Sequence, residues 1–529
     1  MSRRVVAVAL IALVAASCST GPDQTDATAS APLPSMTSPA RPTPDGAHGS
    51  ARPPGHAEST DPDRLSPLEA TGIDSSGLPL GWEPQPLAWS PCRSAAHAQC
   101  ATLAVPLDWS EPDGTQIELA LARLPATRPA SQRLGTVVVN PGGPGGSGVR
   151  FVQSNPLSPD VAGRFDQVGW DPRGVGDSTA VTCAEDSARA FLEADPDPDT
   201  PAEQSDLDAR AEAVARDCDD DVDLLAHVGT RNVARDLEAI RRALGEGPLN
   251  YMGFSYGTQI GQYYAEMFPD QVRAMVLDGV VDPSLTFTEF LDGQTDGFDS
   301  SFRRSADACR SAGPRRCGLD DLAVAYDEVH ARVEASPIRA RSGRQRVGPA
   351  DLAVAAISVA YRDDGWRELG PALADALDGD ATALAELADR YHDLGGYGSY
   401  AGVVCTDTPP PATPADWRRF ADEARVRSPR FGGSVANELL PCATWPVRSG
   451  AIPAPITAPG APPILVIGNT GDPATPIANA RAVAAALDSG VLITVERSGH
   501  TAYGADGCAT KIVDRYLTEL TTPADPSTC

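Results

Sequence analysis

The sequence predicts the α/β class: a mainly parallel sheet with helices on both faces, interrupted by a helical insertion. Three observations carry that prediction. Apolar, β-branched runs recur at Gly135–Asn140, Leu249–Phe254, Arg273–Val281, Pro463–Pro473 and Val491–Thr501, with glycines at or near their ends. Such near-continuous apolar runs suit parallel strands buried on both faces. Helical patterns separate them, as in Thr230–Gly245 and Tyr256–Phe268, and strands alternating with helices build a parallel sheet. Residues 282–454 break the rhythm with helical patterns such as Leu319–Ala335 and Pro349–Tyr361.

The chain of 529 residues opens with Arg3-Arg4, an apolar run from Val5 to Ala16, and Ser17-Cys18. A charged start, a short apolar core and small residues before the cut read as an export signal over 1–18. Ala15-Ala16-Ser17-Cys18 resembles a bacterial lipobox with Ala15 in place of leucine, which predicts lipidation of Cys18; a plain cleaved signal is the alternative. Residues 19–78 are rich in Pro, Ser, Thr, Asp and Gly and too poor in large apolar side chains to offset their ordering entropy. They read as a disordered tether, which removes His48 and His56 from catalytic consideration.

Composition narrows the rest. With 43 basic and 71 acidic residues the formal net charge is −28, which argues against nucleic acid as a partner. Lys511 is the single lysine, so a lysine-based mechanism is excluded. Eleven cysteines less Cys18 leave ten. Spacing favours the pairs 92–100, 183–218, 309–317, 405–442 and 508–529, although spacing alone leaves other connectivities open. No C-x-x-C pair exists, so disulfides in an oxidising compartment are a better account than zinc.

Ala101–Trp109 and Ile117–Leu124 alternate as an antiparallel edge pair. The strand Gly135–Asn140 then runs into Pro141-Gly-Gly-Pro-Gly-Gly-Ser-Gly148. This loop lacks the G-x-x-x-x-G-K-[ST] of a phosphate cradle. Bare backbone also suits an oxyanion loop, whose N–H must approach a carbonyl oxygen unobstructed. In Phe165–Ser178, Asp171 and Arg173 are expected to lock a turn as an ion pair, with a catalytic role as the alternative. Thr230 is expected to cap the amphipathic helix that Gly245 closes, with Val233, Leu237, Ile240 and Leu244 on one face.

Gly253-Phe254-Ser255-Tyr256-Gly257 fits G-x-S-x-G, a serine on a tight strand-to-helix turn. Strand and helix approach so closely there that side chains at Gly253 and Gly257 would collide with neighbours. Asp472 follows a later buried strand and His500 the strand after it. A neutral imidazole must take the serine proton, and a carboxylate must hold that imidazole in the right tautomer. The order Ser255, Asp472, His500 is that of α/β-hydrolases. Of the seven histidines, only His500 lies beyond the tether on a glycine-flanked loop after a strand.

Asn140–Gly148, Gly169–Ser178, Gly253–Gly257, Gly471–Pro476 and Ser498–His500 carry a resemblance over nearly all of Trp82–Cys529. The chain resembles the secreted actinobacterial tripeptidyl-aminopeptidase group of α/β-hydrolases, relatives of prolyl iminopeptidases. Pro141 stands where the latter have histidine, which places the chain on the tripeptidyl side. The resemblance implies an α/β-hydrolase core at 79–281 and 455–529, a helical lid at 282–454, and release of short peptides from free N-termini by an exported or wall-associated enzyme. On that reading Ser255 attacks, His500 relays the proton and Asp472 orients it. The N–H groups of Gly143 and Tyr256 hold the oxyanion; Pro144 has no N–H to offer. Asp407 is the candidate carboxylate for the substrate ammonium, with a solvated loop aspartate as the alternative. An esterase on cell-envelope esters would use the same triad. The expected partners are a peptide or small ester and, through Cys18, the membrane. No cofactor, metal, nucleic acid or second copy is called for.

Overall fold

The computed structural model describes residues 78–79 and 82–529, apart from 184, 342–345 and 393–394. The signal segment, Cys18 and the tether up to residue 77, with His48 and His56, lie outside the described residues. In chain order the strands are β1 (Ser90–Pro91), β2 (Gln99–Pro106), β3 (Gln116–Leu124), β4 (Gly135–Asn140), β5 (Phe165–Trp170), β6 (Leu249–Phe254), β7 (Val272–Asp278), β8 (Ile338–Arg339), β9 (Arg346–Val347), β10 (Ile464–Gly471), β11 (Gly490–Ser498) and β12 (Ser527–Thr528). All but the small β8–β9 hairpin join one sheet in the order β1-β2-β3-β5-β4-β6-β7-β10-β11-β12. The pairs from β1 to β3, and β3 with β5, are antiparallel; from β5 to β12 every pair is parallel.

The two-residue period of a strand divides these runs between two cores. Val138, Tyr251, Met275, Leu277, Ile464 and Val466 face one side, with the helix Thr230–Leu244. Val137, Val139, Met252, Val276, Leu465 and Ile467 face the other, with the helix Gly507–Glu519. Helices from Phe287–Ala312 through Gly432–Asn437 enclose a third core around Phe287, Phe298, Phe302, Trp366 and Trp417. The five disulfides are the nearest-neighbour pairs. Three of them, 183–218, 309–317 and 405–442, lie in this third core. Among the described residues no helix is long and apolar enough to cross a membrane.

Two local expectations are corrected. Asp171 and Arg173 do not pair. Asp171 accepts hydrogen bonds from Ser147 Oγ (2.6 Å), Val149 N–H (3.0 Å) and Asp177 N–H (2.8 Å), bracing the loop after β4 against the loop after β5. Arg173, wholly buried, instead makes a two-pronged ion pair with Asp236 (2.6 and 2.7 Å), and also donates to the carbonyls of Pro106, Leu107 and His227. A guanidinium needs that many acceptors when water is excluded. Thr230 is the first residue of its helix rather than its cap, and a carboxylate from elsewhere in the chain performs the capping. That carboxylate is Asp407, 177 residues away.

Asp236→Ala leaves the Arg173 charge buried without its counterion. A loss of about 3–5 kcal/mol is expected in denaturant unfolding, with the Asp236→Leu/Arg173→Met double variant costing less than the single change.

Candidate active site

Ser255 stands at the junction of β6 and the helix Tyr256–Met267 with φ +53° and ψ −127°. A non-glycine residue holds such a backbone only where its surroundings over-determine it. Here they do. Ser255 N–H donates to Asp278 O (2.9 Å), and a Cβ on Gly257 would lie 2.6 Å from Asn140 O. The chain after β4 packs equally close. Gly142 has φ +85°, and a Cβ there would lie 2.7 Å from Tyr256 N. Asn140 Oδ1 accepts the Gly142 N–H at 2.9 Å and so fixes the loop that carries Gly143. Tyr256 is the first residue of its helix, a position whose N–H has no intrahelical partner.

Asp472 follows β10 and is almost wholly buried. Its Oδ1 accepts the N–H groups of Ala474 and Thr475, both at 2.9 Å. Thr475 Oγ1 donates to Oδ2 at 3.1 Å, and His500 Nδ1 lies 2.9 Å from Oδ2 and 3.0 Å from Oδ1. A carboxylate only accepts, so the proton sits on Nδ1 and the Nε2 lone pair is free. Nε2 is buried with no hydrogen-bond partner. No bond to Ser255 Oγ is made; contacts of this kind are often long and tighten only on binding. Burial alone would lower the imidazole pKa, but the charge and hydrogen bond of Asp472, with Asp278 behind, hold it above its ordinary value.

Side chains that sequence reasoning missed hold the two loops in place. Asp278, ending β7, is fully buried and accepts the N–H groups of Ala502 (3.0 Å) and Tyr503 (2.8 Å), just past His500. Burial raises its pKa to about 6 despite those bonds. Asn469 Nδ2 donates to the carbonyls of Gly499 and Thr501, each at 2.8 Å. From the insertion, Tyr361 O accepts the His500 N–H (3.0 Å) while its ring packs edge-on to the imidazole. Arg304 donates to Gly471 O at 2.8 Å.

Two cavities meet at Ser255 and share Gly143, Pro144, Phe298, Tyr361, Tyr391, Tyr400 and Glu438. The smaller, of about 100 Å³, adds Tyr256, Gln259, Asp282, Asp407 and Thr475. The larger, of about 580 Å³, adds His500 and an apolar wall. Asp407 is not the solvated loop residue of the alternative reading. It ends the helix Tyr397–Asp407, accepts the Thr230 N–H (2.8 Å) and hydroxyl, and is pushed up to about 6 by burial. Thr230 Oγ1 in turn meets Tyr256 OH at 2.6 Å. Glu438, which the sequence reading overlooked, reaches the Tyr400 hydroxyl (3.4 Å) and is pushed up to about 7, mainly by burial. The Cys405–Cys442 disulfide ties the two carboxylate-bearing segments together.

A family profile described as "alpha/beta hydrolase fold" matches residues 135–313, and one described as "TAP-like protein" matches 428–529. Serine protease Hip1 of Mycobacterium tuberculosis is 37% identical over 84% of this chain and 91% of its own length. Tripeptidyl aminopeptidase of Streptomyces lividans is 33% identical over 87% and 86% respectively. The chain belongs to the TAP-like α/β-hydrolases. A further relative, carboxylesterase B of Mycobacterium tuberculosis, is 36% identical over 84% of this chain and 89% of its own length. The two profiles together span Gly143, Ser255, Tyr256, Glu438, Asp472 and His500, whereas Asp407 falls between them.

The proposed role of His500 as base requires that its raised imidazole pKa be titrated away first, so kcat/KM is expected to rise with pH through a midpoint above about 6.5, the ordinary histidine value. Asp472→Asn, which favours the wrong tautomer, is expected to cut kcat by about 10⁴-fold with unchanged melting behaviour.

Proposed function

We propose that this TAP-like hydrolase is an exported serine exopeptidase that releases short peptides, tripeptides in the first instance, from free N-termini through an acyl-enzyme on Ser255. The observation that carries the reading is the pair of half-buried carboxylates, Asp407 and Glu438, lining a cavity that opens on Ser255. A long acyl chain gains nothing from them, whereas a substrate ammonium does. The relatives named tripeptidyl aminopeptidase and serine protease support the same class.

In this mechanism Ser255 Oγ attacks the scissile carbonyl as His500 Nε2 takes its proton. Asp472 stabilises the imidazolium, and the N–H groups of Gly143 and Tyr256 receive the oxyanion. The C–N bond then breaks, the His500 proton passes to the leaving amine, and water releases the acyl peptide by the reverse relay. Asp407 is engaged by Thr230, so Glu438 is the principal ammonium partner and Asp407 supports it from behind. The esterase reading keeps one specific support, the relative named carboxylesterase B, and it shares every step up to the leaving atom.

Cys18 is proposed as the lipid anchor on the strength of its lipobox-like context; membrane association lost in Cys18→Ser would support it, and its persistence would refute it.

Chromogenic tripeptides, free or N-acetylated, test the function itself. Wild type is expected to cleave only the free forms and Ser255→Ala neither. Glu438→Gln is expected to raise KM by about tenfold with a smaller change in kcat. The Glu438 charge is present above its pKa of about 7 and lost below it, so KM for free peptides is expected to climb as pH falls through 7. Equal cleavage of acetylated peptides would exclude the exopeptidase, and turnover of esters alone would establish the alternative.

A further inference from the structure

The two cavities differ in which part of the catalytic apparatus they contain, and that difference assigns them. Tyr256, whose N–H is proposed for the oxyanion, lines only the smaller cavity, and His500 lines only the larger. The protonated imidazole must deliver its proton to the leaving nitrogen, so the leaving half of the substrate lies on the imidazole's side of the scissile bond. The acyl half then occupies the smaller cavity, beside Asp282, Asp407 and Glu438.

The larger cavity shares Glu438 but is otherwise mainly apolar. Phe151, Phe191, Leu192, Val354, Ile357 and Val435 line it and do not line the smaller one. Its volume of about 580 Å³ lies within the range of sites that enclose a small ligand. Its one arginine is Arg150, exposed, in the short helix Gly148–Gln153. Among the described residues Arg150 is in no ion pair, and no arginine or lysine lines the smaller cavity. In a chain of net charge −28, Arg150 at the far end of the larger cavity, Glu438 where the two cavities join, and Asp282 and Asp407 in the smaller one make a field with a direction. A peptide lying with its ammonium on the carboxylate side and its carboxylate on the arginine side is complementary to it.

We propose that the larger cavity is the leaving-group subsite, that it selects an apolar or aromatic residue immediately after the scissile bond, and that Arg150 reads the free C-terminal carboxylate of a short leaving peptide. The preferred substrate class is thus the short free oligopeptide. The proposal rests on the exopeptidase reading and names the substrate of that same site.

A series of peptides with one common N-terminal tripeptide tests it. The following residue is Phe, Leu, Asp or Lys, and each peptide is made as the C-terminal acid and as the amide. Initial rates are followed by chromatography, with the tripeptidyl anilide and a simple aryl ester as controls. Phe and Leu are expected to exceed Asp by at least tenfold in kcat/KM, and acids to exceed their amides several-fold. Arg150→Gln is expected to abolish the acid-over-amide preference while keeping the Phe-over-Asp preference; Arg150→Lys is expected to restore part of it. If all peptides are cut at equal rates in either terminal form, the exopeptidase stands and the subsite assignment falls. If only the ester is turned over, both fall. A preference for Asp or Lys, or an acid preference untouched by Arg150→Gln, would also overturn the assignment.

Discussion

The site depends on a steric constraint: three backbone segments meet where no side chain can stand between them. The loop after β4, the end of β6 and the first turn of the helix Tyr256–Met267 approach so closely that a single Cβ at Gly142 or Gly257 would overlap main-chain atoms. That contact forces Ser255 into its strained conformation and sets Gly143 and the free N–H of Tyr256 on its flanks. The strain is sustained by the parallel sheet, whose β4, β6 and β7 are buried on both faces and resist relaxation. The geometry of the candidate site is a by-product of packing.

The insertion is part of the same construction. Tyr361 holds the backbone of His500, Arg304 holds the carbonyl before Asp472, and a Cβ at Gly297 would lie 2.2 Å from Pro473 O. Helices that supply the cavity walls therefore also fix the acid and the imidazole. The Cys405–Cys442 and Cys309–Cys317 disulfides cross-link these helices from within. The shape of the cavities and the placement of His500 are therefore coupled through the same side chains.

What could be read from the sequence was what local pattern encodes. Apolar strand runs, the elbow glycines and the order of serine, aspartate and histidine each leave a short-range signature. The errors came from partners distant in sequence. Arg173 looked paired with Asp171 because the two are neighbours, yet Asp236 reaches it from the interior face of a helix 63 residues on. Thr230 looked like a cap because its residue type is right, but Asp407 fills that role from the insertion. Glu438 left no motif. Its one local signal was an acidic residue inside the apolar stretch Val435–Leu440, four residues before a cysteine. Its significance comes from burial among tyrosines that converge from separate helices, which no spacing rule conveys.

The central claim is that Ser255 carries the N-terminal portion of a peptide during turnover. Rapid acid quenching of enzyme mixed with a free-N-terminus oligopeptide, followed by intact and peptide-level mass spectrometry, tests it most directly. The account predicts an adduct on the fragment containing Ser255 whose mass equals the N-terminal tripeptidyl group. An adduct of internal sequence, or an adduct on a residue other than Ser255, would contradict it.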